Sequence, residues 1–114
     1  MKFKVSKQAD LDYYLQKYSE GTFTLVKVSK EECPACKRFE NVIEKVEGEF
    51  VNTIILEIEV RRDKPFFLPP EFNISCVPTT FIFKNEGTQK RLVKKIEGFV
   101  EFNYLSSLLK EEKE

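Results

Sequence analysis

The chain has no histidine and no tryptophan, only three cysteines, and no excess charge of either sign: 19 Lys and Arg offset 19 Asp and Glu over 114 residues. Each shortage excludes something. Without net positive charge, binding to nucleic acid or to an anionic membrane surface loses its usual electrostatic drive. No apolar run approaches the length of a membrane-spanning helix. Met1-Lys2-Phe3-Lys4-Val5 lacks the apolar stretch of a signal peptide, so the expected location is the cytoplasm. Three cysteines are too few for a disulfide scaffold. A closed structural zinc site takes four ligands, and three Cys without His cannot complete a Cys/His site within the chain. No metal is therefore expected.

What is present suffices for one compact domain spanning residues 1–114. Hydrophobic residues make up 41% and include eleven Phe, enough for a real core. Charged residues reach 33%, mostly Lys and Glu, a bias that leans towards a thermophilic source.

Two of the cysteines lie in Cys33-Pro34-Ala35-Cys36, where an apolar strand gives way to a helix. Upstream, Thr22 to Val28 is rich in β-branched and apolar residues and reads as a buried strand. Downstream, Phe39, Val42, Ile43, Val46 and Phe50 recur at helical spacing. Cys33 thus falls at a helix N-terminus and Pro34 in the first turn, where a missing N–H costs nothing. The helix dipole and free N–H groups there favour a thiolate. Cys36, one turn further on, is placed to attack a mixed disulfide on Cys33. In a cytosolic chain this spacing reads first as a redox dithiol. The structural alternative is a pair of small apolar residues at a helix start.

The rest of the chain supplies the frame. Phe3 to Val5 reads as a short strand, Ser6 as an N-cap, and Leu11, Tyr14, Leu15 and Tyr18 as a helix broken by Gly21. The cysteine-bearing helix runs from Pro34 to Glu47, with Gly48 near its end. Asn52 to Val60 is a central strand covered on both faces. Arg61 to Lys64 is a solvated turn, and the proline-rich Pro65 to Pro70 allows a short helix through Glu71 and Phe72. Its Phe66-Phe67-Leu68 reads as a local cap on the core or as an apolar patch for partners. Thr79 to Phe83 is a strand, Asn85-Glu86-Gly87 a turn, and Arg91 to Ile96 an imperfectly alternating hairpin partner. A final helix from Val100 to Lys113 carries Tyr104, Leu105, Leu108 and Leu109 on its apolar stripe. The order β-α-β-α-β-α-β-β-α predicts an α/β fold, a mixed β-sheet flanked by helices. The dithiol leaves the carboxyl end of a central strand, where open sheets place their sites.

With these pieces in order, nearly the whole chain resembles a thioredoxin. The resemblance rests on Leu25-Val26-Lys27-Val28, Cys33-Pro34-Ala35-Cys36 with Lys37 after it, Val77-Pro78-Thr79 leading into Phe81-Ile82-Phe83-Lys84-Asn85, and Gly98 before the last helix. It implies the thioredoxin fold and a thiol–disulfide oxidoreductase that needs no cofactor. It also implies that Pro78 is a cis-proline facing the dithiol, and that the backbone of Val77 pairs with a bound substrate chain. The implied partners are protein disulfide substrates and an upstream dithiol reductase, with neither nucleic acid nor membrane. The alternatives are a glutaredoxin-like activity and a redox-silent binding module of the same fold.

Three departures stand out. Pro34-Ala35 replaces the family's Gly-Pro and is more like glutaredoxins and some archaeal oxidoreductases. Glu32 replaces the tryptophan before the first cysteine; Glu31 and Glu32 oppose a thiolate on Cys33, while Lys30, Lys37 and the helix terminus favour it. Lys27 stands where the family has a buried aspartate, and Glu57 falls near the position of the family's lysine. That reads as an ion pair with its charges exchanged, in which Lys27 favours a Cys36 thiolate and Glu57 accepts a proton. The alternative is that Lys27 snorkels to the sheet edge. Cys76, two residues before Pro78, belongs to the rim of the active surface, either as a buried small residue or as an exposed thiol that dimerises an otherwise monomeric chain under oxidants.

Overall fold

The computed structural model describes residues 1–17, 23–61, 72–87 and 89–113. In chain order they form β1 (Lys2–Val5), α1 (Gln8–Lys17), β2 (Phe23–Lys30), α2 (Pro34–Glu49), β3 (Thr53–Val60), β4 (Thr79–Glu86), β5 (Gln89–Glu97) and α3 (Phe102–Lys113). The expected break at Gly21, the turn at Arg62 to Lys64, the helix near Pro70 and the Phe66-Phe67-Leu68 segment lie outside the described residues.

One mixed sheet runs in the order β1-β3-β2-β4-β5. β1, β3 and β2 are parallel, whereas β4 runs antiparallel to β2 and β5 antiparallel to β4. The near-continuous apolar run of β2 is explained by cover on both faces. Phe23 and Leu25 join Phe39, Ile43 and Val46 of α2 and Leu105 and Leu109 of α3. Val26 and Val28 turn the other way, onto Leu11 of α1, Leu56, Ile58 and Phe72.

Several boundaries differ from the sequence expectation, each for a local reason. Lys7, not Ser6, caps α1, since its carbonyl accepts the first helical bond from Leu11. Gly48 lies inside the last turn of α2 rather than past it, and Phe50 closes the helix by donating its N–H to Val46. Asn85 and Glu86 are not turn residues. They pair with Lys90 and Gln89, so that the reversal begins at Gly87, whose φ of +64° suits glycine. A register shift between Ile82 and Phe83 leaves Val93 as an extra residue in β5, which accounts for the broken alternation there. Tyr104 is 43% exposed, with the Lys94 ammonium over its ring, rather than part of the buried stripe of α3.

Lys27 does not snorkel. It lies on the α2 side of β2 with Phe23 and Leu25, only 2% exposed. The parallel register sets it opposite Glu57 of β3. Its Nζ is 3.8 Å from Glu57 Oε1, and the same oxygen is 3.5 Å from Lys2 Nζ. Burial lowers the Lys27 pKa below its usual 10.5, while Glu57 and, more weakly, Glu40 pull it back up.

This arrangement predicts opposite outcomes for the two partners. Glu57→Gln leaves a desolvated cation facing a neutral amide. Because Glu57 retains some solvent contact, the loss should fall at about 1–3 kcal/mol, below the range for a fully buried pair. Lys27→Met removes the charge that had to be desolvated and should match or exceed wild-type stability. Lys27 binds protons less readily folded than unfolded, so wild-type stability should rise with pH from its lowered folded value up to 10.5. Urea melts between neutral and alkaline pH should show this rise in wild type and lose it in Lys27→Met.

Candidate active site

β2 delivers the chain to the start of α2 through residues 31–33. Cys33 is the N-cap, with extended backbone at φ −114° and ψ 102°, and Pro34 follows in the first turn. The Cys36 N–H donates to Cys33 Sγ at 3.1 Å, and the Lys37 N–H donates to the Cys33 carbonyl at 3.1 Å. The cysteine sulfur therefore takes the capping role that Ser or Asp usually fills. The same N–H groups and dipole that cap the helix favour negative charge on that sulfur. Cys33 and Cys36 are joined as a disulfide, their Cα atoms 5.2 Å apart. Both are largely covered, at 7% and 4% exposure. Pro34 is exposed and Ala35 half-buried, so the outer surface of the turn is made by the intervening dipeptide.

Strand register brings two more loops to this end of the sheet. Val28 of β2 pairs with Thr79 of β4, and Thr79 with Glu97 of β5. The residues just outside those positions, 31–33, 76–78 and 98–99, therefore gather together. The Val77–Pro78 peptide is cis. Thr79 Oγ1 donates to the Cys76 carbonyl at 2.6 Å, and the Gly98 N–H donates to the Pro78 carbonyl at 2.7 Å. Gly98 holds φ +89°, a conformation side chains rarely adopt. Next to it, Phe99 meets the Phe39 ring edge-on at 6.0 Å and carries the Arg38 guanidinium over its face at 5.3 Å. The loop at 98–99 is thus tied both to Pro78 and to the first turns of α2. Val77 packs its half-buried side chain against the core on the α1 side. Among the described residues its backbone N–H and C=O have no hydrogen-bond partner.

Sequence reasoning missed two features. Glu32, immediately before Cys33, has φ +56°, uncommon for a residue with a side chain. No composition or spacing signal marks it. Arg61, read as part of a solvated turn, reaches Glu31 at 3.3 Å and Glu59 at 3.2 Å. It thereby pins the loop before Cys33 to the end of β3, a contact visible only once the strands are in register. Cys76 is exposed, its Sγ 3.8 Å from Thr79 Oγ1. Among the described residues no cluster of acidic or thiol side chains is arranged to hold a metal ion, and no helix is long and apolar enough to cross a membrane.

Comparison with known proteins agrees with this geometry. No curated protein matches the chain. Among solved structures, chloroplast thioredoxin f from spinach in its long form has a TM-score of 0.75 at 20% identity, covering 99% of this chain and 87% of its own. Thioredoxin NaTrxh from Nicotiana alata has a TM-score of 0.76 at 17% identity, covering 99% and 93%. Trichomonas vaginalis thioredoxin has a TM-score of 0.73 at 18% identity, covering 97% and 95%. At such identities the likeness is one of fold. The thioredoxin family model matches residues 2–111. With that match over nearly its full length, and with the Cys33–Cys36 disulfide at the head of α2, the chain belongs to the thioredoxin family.

Proposed function

We propose that the chain reduces or exchanges disulfides in protein substrates through Cys33 and Cys36. The observation that carries this reading is the disulfide across the first turn of α2, beside a Val77 backbone with no hydrogen-bond partner among the described residues. Cys33, at the cap, is the nucleophile. Its thiolate attacks one sulfur of the substrate disulfide; the substrate S–S bond breaks, a mixed disulfide forms on Cys33, and the other substrate thiolate leaves. Cys36 loses its proton and attacks Cys33 Sγ, which releases the second substrate thiolate and restores the intramolecular bond. Run backwards, the same steps oxidise a dithiol. An upstream dithiol reductase would close the cycle in a cytoplasmic setting.

In this reading Val77 and Pro78 hold the substrate chain. An extended segment added to the free N–H and C=O of Val77 gains main-chain hydrogen bonds without regard to its side chains. Pro34 and Ala35 form the surface that meets the disulfide and modulate the dithiol. β1 and α1 ahead of β2 favour this plan over the shorter glutaredoxin one. A monomer suits the role. The exposed Cys76 offers a route to an oxidised dimer, since a free surface thiol can exchange with its counterpart.

Cys33→Ser and Cys36→Ser should each abolish insulin reduction driven by dithiothreitol, whereas Cys76→Ser should retain most of it. Comparable loss in Cys76→Ser would overturn the two-thiol mechanism. Glutathione mixed disulfides, assayed in parallel, should be poorer substrates than insulin. Oxidant-treated wild type should show a dimer on non-reducing gels that Cys76→Ser lacks; a dimer persisting in that variant would remove Cys76 from the account.

A further inference from the structure

Glu32 has two properties that the disulfide exchange does not use. Its backbone is left-handed, at φ +56°, a conformation that glycine or asparagine holds more readily than glutamate. Its side chain is exposed and, among the described residues, makes no hydrogen bond or ion pair. A strained residue beside reacting atoms is a reason to look for what its side chain does there. Glu31, one residue earlier, differs: its carboxylate is held by Arg61 at 3.3 Å.

The three loops that gather at this end, 31–33, 76–78 and 98–99, carry no charged side chain besides Glu31 and Glu32. With Glu31 paired, Glu32 is the one charge on these loops without a partner among the described residues, and it is the residue next to the capping cysteine. The nearest cations stand outside the loops. Lys30 ends β2, and Lys37 and Arg38 lie on the first turns of α2, Arg38 with its guanidinium over the Phe99 ring at 5.3 Å. Glu97, just before the third loop, is met by Lys95 at 3.1 Å.

We infer that the Glu32 carboxylate sorts disulfide substrates by charge, favouring those with Lys or Arg beside the sulfur that Cys33 attacks and disfavouring those with Asp or Glu. The inference rests on the dithiol reading above and gives that site a specificity residue. In the first exchange the Cys33 thiolate bonds to one substrate sulfur, the substrate S–S bond breaks, and its electron pair leaves on the other sulfur as a thiolate. One negative charge is therefore present throughout the step, and Glu32 places a second beside it. A cation on the substrate is attracted by both, and an anion is repelled by both. Because Glu32 faces water, the attraction is screened by salt and acts mainly on encounter and alignment. Glu32 itself forms no bond and exchanges no proton, so it selects the substrate without taking part in the chemistry.

The test uses the reduced full chain in a Cys76→Ser background and three small disulfides of similar shape: cystamine, a dication; 2-hydroxyethyl disulfide, neutral; and 3,3′-dithiodipropionate, a dianion. Formation of the Cys33–Cys36 disulfide is followed by quenching, alkylation and mass spectrometry. Differences in leaving group, and the influence of Lys30, Lys37 and Arg38, are common to every Glu32 variant and cancel when variants are compared. Any general effect on Cys33 appears with the neutral reagent and divides out. At low ionic strength Glu32→Gln should lower the ratio of the cystamine rate to the dithiodipropionate rate at least about threefold. Glu32→Gly, which suits the left-handed backbone but lacks the charge, should lower it likewise, whereas Glu32→Asp should keep most of it. Added salt should weaken the dependence on Glu32. A ratio unmoved in Glu32→Gln, a wild-type ratio retained in Glu32→Gly, or a Glu32 dependence indifferent to salt overturns the inference. Failure of the unsubstituted Glu32 chain to form the disulfide with any of the three reagents would instead overturn the dithiol reading.

Discussion

β2 is hydrogen-bonded along both edges, to β3 in parallel and to β4 antiparallel, and the reactive end of the molecule follows from that double pairing. The parallel side brings the end of β3 level with the end of β2, which lets Arg61 reach Glu31 and puts Glu57 opposite Lys27. The antiparallel side brings the start of β4 to the same level and, through β5, the loop at Gly98. Slipping either register by one residue would turn every β2 side chain to the opposite face. Phe23 and Leu25 could then no longer meet α2 and α3, nor Val26 and Val28 meet α1. The two core clusters and the assembly of the three loops are therefore a single constraint seen from two sides.

The same constraint explains why a lysine can occupy an apolar run. β2 must be apolar on both faces along most of its length, yet beside the dithiol its inner face meets the first turns of α2, where Glu40 and Glu44 follow Cys36 at helical spacing. A cation there faces carboxylates from two elements, Glu57 on the sheet and Glu40 on the helix. An isolated ammonium at 2% exposure would be untenable in its charged form. In these surroundings its proton affinity is lowered by burial and pulled back up by Glu57 and Glu40.

Much of this was legible in the chain because the strongest signals are periodic. Alternating cover on β2, helical spacing in α2 and the Cys33-Pro34-Ala35-Cys36 turn identify their elements directly, and the exchanged charges at Lys27 and Glu57 could be set opposite one another by aligning two strands. The failures lie where local chemistry competes with tertiary pairing. Asn85 and Glu86 have turn propensity, but pairing with Lys90 and Gln89 extends the strand through them. Tyr104 fits the helical period, yet the sheet leaves its side open and Lys94 covers the ring instead. Arg61 and Glu32 carried no legible signal. The first depends on strands meeting through space, and the second on a backbone angle at a residue type that gives no warning of it.

The absence of histidine acquires a physical meaning here. Histidine is the side chain whose ordinary titration lies between pH 5 and 8, and a chain without it must shift another group if it is to exchange protons near neutrality. In the proposed reaction the thiols of Cys33 and Cys36 are the reacting groups and cannot also store the proton they shed. Among the described residues Lys90 is likewise pushed down by burial, yet it is committed elsewhere, donating to Asn85 at 2.6 Å and to Thr24 at 3.1 Å. Lys27 differs in facing an open cleft that reaches solvent beneath the helix bearing the dithiol. Burial lowers its proton affinity, and Glu57 and Glu40 limit the drop. Burial and facing carboxylates therefore oppose one another at Lys27, an opposition that Lys90, lowered by burial alone, does not share.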